Sequence, residues 1–350
     1  MKIGVLTFHR CINYGSYWQA RCLVEGLIAM GHDAVLMDHD AGYIRAREWR
    51  CAFQPLLPVR SAAGDIRRYG VKARAFLRAF DALPQSARFP LDEPELAERF
   101  DAVVVGSDEV WNFAHPWYGY KPVFWGEGLG PARLVAYAAS FGNYAEAAIP
   151  AGWAEKLARF DAIAVRDANG RRLVRGATGR EPAVVLDPCL QFPPPAPAPS
   201  DEGAPYVLVY GHNFPDWLGE RVRGWAEAAG KRVVSVGYRV DWADTQRIEA
   251  GPDEFASLVA GADAVVTNFF HGCVFALLHA KPFVTAPSAY RSNKVHDLVA
   301  KLGAERHLID AGTDAAGFAA LLETPIDPAV GAAIAGLRAE GTAFLEAALG

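Results

Sequence analysis

The sequence predicts an α/β protein built as two parallel-sheet domains in tandem, and three observations carry the prediction. Short apolar β-type runs alternate with stretches of helical spacing along most of the chain. A proline cluster over residues 193–199 interrupts that alternation once, where missing amide donors and fixed φ exclude both helix and central strand. The length, 350 residues, is about twice the usual size of one domain. With 51% hydrophobic and 21% charged residues, the chain has ample apolar surface to offset its conformational entropy.

In order, strands are expected at 2–8, 33–38, 101–106, 133–139, 162–166 and 183–186, with a helix at 16–30. After the prolines the same grammar predicts strands at 206–210, 232–237, 263–268 and 282–286 and helices at 216–229, 253–261 and 271–280, with a closing helix at 329–348. The expected domains are therefore 1–192, a linker at 193–204, and 205–350, with a cleft between the two. Residues 41–100 fit the alternation poorly and are expected to be a helical insertion in the first domain. Within it Ile66, Tyr69, Ala73, Phe76, Leu77 and Phe80 recur at helical spacing among Arg67, Arg68, Lys72, Arg74 and Arg78. That pattern reads as a solvated helix with its stripe in the core, or alternatively as a weak membrane-surface contact.

The formal charge of −5 argues against an open basic surface for nucleic acid. Cys11, Cys22, Cys51, Cys189 and Cys273 are an odd, scattered set without CxxC spacing, so neither a disulfide framework nor a zinc ribbon is written here. No HExxH or EF-hand loop occurs, and no metal is expected. The first apolar run is broken by His9 and Arg10, too short for a signal peptide or a span, so the expected location is cytoplasmic.

Ligands of open α/β sheets bind at the carboxyl ends of strands, which directs attention to four loops. After the first strand come Asn13, Tyr14, Gly15 and Ser16, where helix amides suit an anion, although one Gly in such a turn is also ordinary punctuation. Gly106-Ser107-Asp108-Glu109 with Trp111-Asn112 suits sugar hydroxyls or general-base work, with a helix cap as the structural alternative for Ser107. Arg166 leaves an apolar strand and needs a partner, either a substrate anion or Asp167 or Asp187. His271-Gly272 joins a strand directly to a helix, placing an imidazole among helix amides, while a satisfied core histidine is the plainer fate. Downstream, Arg291 and Lys294 open another helix and offer cations.

In this order these segments resemble the polysaccharide pyruvyl transferase family. The resemblance rests on Asn13-Tyr14-Gly15 with Gln19, Val105-Gly106-Ser107-Asp108 with Trp111-Asn112, Tyr137-Ala138-Ala139-Ser140-Phe141-Gly142, Val165-Arg166, Asp187-Pro188, Phe270-His271-Gly272 and Lys281-Pro282-Phe283. It implies two Rossmann-like domains of GT-B-like type and transfer of a pyruvyl group from phosphoenolpyruvate, a co-substrate, to hydroxyls of a sugar or glycan acceptor, free or lipid-linked, with no cofactor. It also implies Arg166 for donor binding and His271 for catalysis. From the chemistry, Arg291 and Lys294 are candidate phosphate contacts, with Gly272 also a candidate donor-binding residue, Asp108 is a candidate base or acceptor-sugar ligand, and Asn13, Tyr14, Gly15, Ser107, Asn112 and Ser140 are candidate acceptor or cleft residues.

The chain departs from the family pattern at Phe269, where a Ser usually precedes Phe-His-Gly, and at Trp18, Glu109 and Lys294, where Leu, Gln and Arg are usual. A nucleotide-sugar glycosyltransferase is the competing reading, since a tandem α/β cleft serves it equally. Transfer to a small natural product is a second alternative.

Overall fold

The structure, a computed structural model, describes residues 1–130, 132–288 and 292–350, the side chain of Ser292 aside. The elements run β1 (Lys2–Leu6), α1 (Tyr14–Ala29), β2 (Asp33–Leu36), β3 (His39–Asp40), α2 (Gly42–Phe53), α3 (Ala63–Asp81), β4 (Phe89–Pro90), β5 (Ala102–Val105), β6 (Arg133–Ala139), α4 (Trp153–Ala158), β7 (Ala162–Val165), α5 (Ala168–Thr178), β8 (Ala183–Val184) and α6 (Pro188–Gln191). They continue with β9 (Tyr206–Tyr210), α7 (Asp216–Ala228), β10 (Arg232–Val236), β11 (Thr245–Arg247), α8 (Pro252–Gly261), β12 (Ala264–Thr267), α9 (Phe270–Leu278), β13 (Phe283–Thr285), α10 (Ser292–Leu302), α11 (Ala315–Glu323) and α12 (Pro328–Leu349).

Two compact units divide the chain: residues 1–48, 80–194 and 334–350 form the first, and 49–79 with 195–333 the second. In the first, six strands pair in parallel in the order β2-β1-β5-β6-β7-β8. In the second, the parallel order is β11-β10-β9-β12-β13. Strands such as β5, Ala-Val-Val-Val, are buried along their whole length because helices cover both faces of a parallel sheet. Trp111, Phe113, Phe124, Trp125, Phe141 and Phe160 pack into the first core. Val207, Val209, Leu218, Val222, Val266 and Phe318 pack into the second.

The division departs from the expected 1–192 and 205–350 in two places. The core of the insertion belongs to the second unit, because α3 is bonded to that unit's loops. Asp65 accepts from the Arg239 guanidinium at 2.5 and 3.2 Å, Arg68 donates to Glu249 at 2.6 Å, and Lys72 Nζ donates to the Gly237 carbonyl at 3.0 Å. The end of the closing helix belongs to the first unit: Arg338 donates to the Leu190 carbonyl at 2.7 and 2.9 Å, and Gln191 donates to Thr342 at 2.9 Å. The boundary between residues 194 and 195 falls inside the proline segment. Tyr69, Ala73, Phe76 and Phe80 are buried and Leu77 is half-buried, so the apolar stripe of α3 lies in the core beyond its exposed first residue, Ile66. Among the described residues no single helix is long and apolar enough to cross a membrane.

Candidate functional site

Strand order fixes where each sheet can hold a ligand. In the first unit the chain winds outward in opposite directions from β1 and β5, and in the second from β9 and β12. In open α/β sheets, ligands bind beside the carboxyl ends of the strand pair at which the winding reverses.

At the β1–β5 end of the first unit, Asn13 caps α1 by accepting from the Ser16 amide at 3.2 Å, and Ser16 Oγ donates to Asp108 Oδ2 at 3.0 Å. Gln19 is buried beneath this loop. Its Nε2 donates to Thr7 Oγ1, the Phe8 carbonyl and the Ser16 carbonyl at 3.0, 3.2 and 2.9 Å, and its Oε1 accepts from Ser107 Oγ at 3.0 Å. Ser107 is therefore a fully buried framework group, a role that neither a helix cap nor an acceptor contact describes. Gly106 (φ +120°) passes so close to the Tyr137 carbonyl that a Cβ there would overlap it. Asp108 follows with φ +65°, a sparsely populated conformation for a side-chain-bearing residue, and this turn presents its carboxylate at the strand end.

Arg166, at the end of β7, donates to Asp187 Oδ2 at 3.1 Å and to Asp108 Oδ1 at 3.4 Å, with 2% of its side chain exposed. Burial opposes its charge, but the carboxylates of Asp108, Asp187, Asp167 and Glu109 outweigh it and raise the guanidinium above its usual value. Of the partners expected from sequence, Asp187 is used. Asp167 instead caps α5, accepting from Gly170 N at 2.6 Å and from Ser140 Oγ at 2.5 Å. Ser140 and Asn112 are both buried framework groups, since Asn112 Nδ2 donates to Glu109 Oε2 at 2.8 Å and its Oδ1 accepts from the Ala114 amide. Tyr14 is wholly buried too, so of the expected acceptor residues Asn13 and Gly15 act here through the backbone and cap of α1, and Asp108, with 14% of its side chain exposed, is half-buried like Asn13.

Sequence reasoning placed Ser16 in the first candidate loop but missed Thr7 and Glu48. Burial pushes the Glu48 carboxyl up to about 7, against the opposing effect of Cys11 and the Ile12 backbone in the β1–α1 loop. Nearby, burial opposes ionisation of Asp38, yet bonds from His9, Arg10 and Arg88 outweigh it and hold that carboxyl well below its ordinary range. Nothing in the local spacing of these residues signals partners that lie 28 to 50 positions away.

At the β9–β12 end of the second unit, Thr267 Oγ1 donates to the Tyr210 carbonyl at 2.7 Å and accepts from the Phe269 amide at 3.0 Å. A Cβ on Gly272 would overlap Thr267 Oγ1, so glycine is what lets α9 start against β12, and Gly272 is explained without a ligand. Asn268 donates to the His212 carbonyl at 2.7 Å. Phe269 does not replace its missing hydroxyl: it fills an aromatic cluster, edge-on to Tyr210, His212 and Tyr238 at 4.9, 5.1 and 5.5 Å between ring centres. His271 sits half-buried in the first turn of α9, edge-on to Phe270 at 5.1 Å. Lys294 on α10 lies 6.0 Å from the same Phe270 ring, so His271 and Lys294 flank one side chain. Arg291 lies outside the described residues.

The fold has counterparts among solved structures. The UDP-GlcNAc 2-epimerase of Methanocaldococcus jannaschii is similar at TM-score 0.53 and 11% identity, over 93% of each chain. The glycotransferase of kitacinnamycin matches at TM-score 0.44 and 16% identity, over 99% of this chain and 97% of its own. Glycosyltransferase SsfS6 of Streptomyces sp. SF2575, solved with thymidine diphosphate, matches at 0.45 and 13%, over 98% and 96%. The epimerase likeness speaks to fold alone and agrees with the class expected from sequence, α/β with two Rossmann-like, GT-B-like domains. No curated protein sequence matches the chain. The family model for polysaccharide pyruvyl transferase, however, matches residues 13–287, from the cap of α1 through β12, α9 and β13. Asp108, Arg166, Asp187 and His271 fall within that span, and the chain belongs to the polysaccharide pyruvyl transferase family, a family of transferases.

Proposed function

We propose that this protein transfers the pyruvyl group of phosphoenolpyruvate to two hydroxyls of a sugar or glycan acceptor, forming a ketal and releasing phosphate. The observation that carries the reading is the Arg166–Asp108 contact within the matched span. At 3.4 Å it is long for a charge-assisted bond, while the Arg166–Asp187 bond is shorter, at 3.1 Å. A donor carboxylate competing for Arg166 Nη2 displaces Asp108, which is then released to accept the proton of an attacking hydroxyl. In the second unit, His271, at a helix start and beside the Phe270 ring that Lys294 also approaches, is the residue to which this reading gives proton delivery to the terminal enol carbon.

The bookkeeping closes. The carbon–carbon double bond takes a proton and becomes a methyl group, two acceptor oxygens bond to the central carbon, and its bond to the phosphate oxygen breaks. Of the two hydroxyl protons, one is carried net to the methyl group and the other leaves with phosphate. Phosphoenolpyruvate is a metabolite of the cytoplasm, which is the location this reading assigns.

His271→Ala tests the division of roles. Fluorescence titration with phosphoenolpyruvate is expected to give wild-type binding, while phosphate release on the acceptor falls by about 10²–10⁴. Undiminished turnover would remove His271 from the reaction.

A further inference from the structure

Residues 49–79 carry six arginines and one lysine against a single aspartate, a charge of +6 in a chain whose total is −5. Lys72 and Asp65 are buried, and Arg68 is engaged by Glu249. Arg67, Arg74 and Arg78 are exposed on the outer face of α3, with Val71 among them at 42% exposure. The segment leading into that helix holds Arg60 between exposed tips, with Leu57 at 42% and Val59 at 66%, and Ile66 in the first turn at 37%. Among the described residues, four of the nine exposed large hydrophobic side chains thus fall within these 31 positions.

We propose that the outer face of α3 and the 57–60 segment form a docking surface for an anionic lipid bilayer. The apolar stripe of α3 is in the core, so the contact differs from that of an amphipathic helix lying in a membrane: arginines meet headgroups while Leu57 and Val59 enter the interface. Charge complementarity selects an anionic partner, and the exposed aliphatic tips select a lipid surface over a fully hydrated polyanion. The inference is independent of the reaction proposed above.

The test is cosedimentation of the full chain, at low salt, with vesicles of phosphatidylcholine alone or mixed with phosphatidylglycerol. Binding to the mixed vesicles is expected to exceed binding to phosphatidylcholine by at least about tenfold and to weaken with added salt. Combining Arg67→Gln, Arg74→Gln and Arg78→Gln lowers it by roughly a hundredfold. Leu57→Ser with Val59→Ser lowers it by about tenfold. Because all five positions are exposed, the variants keep the wild-type thermal midpoint. A wild-type protein that stays in the supernatant, or a triple variant that binds unchanged, overturns the proposal. So does an apolar variant that binds unchanged, which marks a site for any polyanion, or a dimer in sedimentation velocity that the apolar variant dissolves, which marks a second copy as the occupant.

Discussion

At the β1–β5 end of the first unit, buried polar groups satisfy one another: Gln19 bonds Thr7, Ser16 and Ser107, and Arg166 lies against two carboxylates. At the β9–β12 end of the second unit, position is set mainly by contact, with Gly272 against Thr267 and Phe269 among three aromatic rings. A polar network holds charge in place but fails when one partner is lost, because a buried donor or ion is then orphaned. An aromatic cluster carries no such debt and tolerates change in proportion to the volume altered. The two strand ends are thus held by different means, one electrostatic and one steric.

The strongest way to break the contrast is Asp187→Ala. Arg166 is left with Asp108 as its nearer remaining carboxylate and α6 loses its cap, so urea unfolding should show a loss of about 3–5 kcal/mol. A loss below about 1 kcal/mol would mean the first unit's network is not electrostatically tight. Phe269→Ser restores the residue usual in the family and opens a cavity among Tyr210, His212 and Tyr238, at a cost of about 3 kcal/mol. Gly272→Ala forces α9 away from Thr267, costing about 1–3 kcal/mol and moving His271 with it, so turnover should fall further than stability accounts for.

A pH dependence carried by a group of the second unit sharpens the comparison further. Burial of Lys72 lowers its pKa to about 7 from the ordinary 10.5. Across that window the unfolded chain holds a proton that the native lysine has released, so Lys72 makes the native state gain stability as pH rises. Measured as the difference between wild type and Lys72→Met, the slope should be about 1.4 kcal/mol per pH unit. A flat difference would mean that Lys72 keeps its proton against the Gly237 carbonyl and the Tyr238 ring.

Strands β1, β5, β6, β9 and β12 were legible because parallel strands covered on both faces read as continuous apolar runs. β3, β4 and β11, two or three residues each, offered no period to read. Asp108 and His271 could be found from their place just after buried strands. The grouping of α3 with the second unit could not, since it rests on Asp65–Arg239 and Lys72–Gly237 bonds spanning more than 160 positions. Likewise Ser107, Asn112 and Ser140, candidate acceptor or cleft residues in sequence, are buried and bonded within the protein, because a polar residue after a strand bonds equally well to a substrate or to a neighbouring loop.

The central claim is the donor, and thermal unfolding with added phosphoenolpyruvate, beside UDP-, GDP- and CDP-sugars, tests it most directly. A ligand held only by the native state stabilises by about 2.7 kcal/mol at a hundred times its dissociation constant. The account predicts a shift with phosphoenolpyruvate alone, lost in Arg166→Ala. A shift with a nucleotide sugar and none with phosphoenolpyruvate would contradict it.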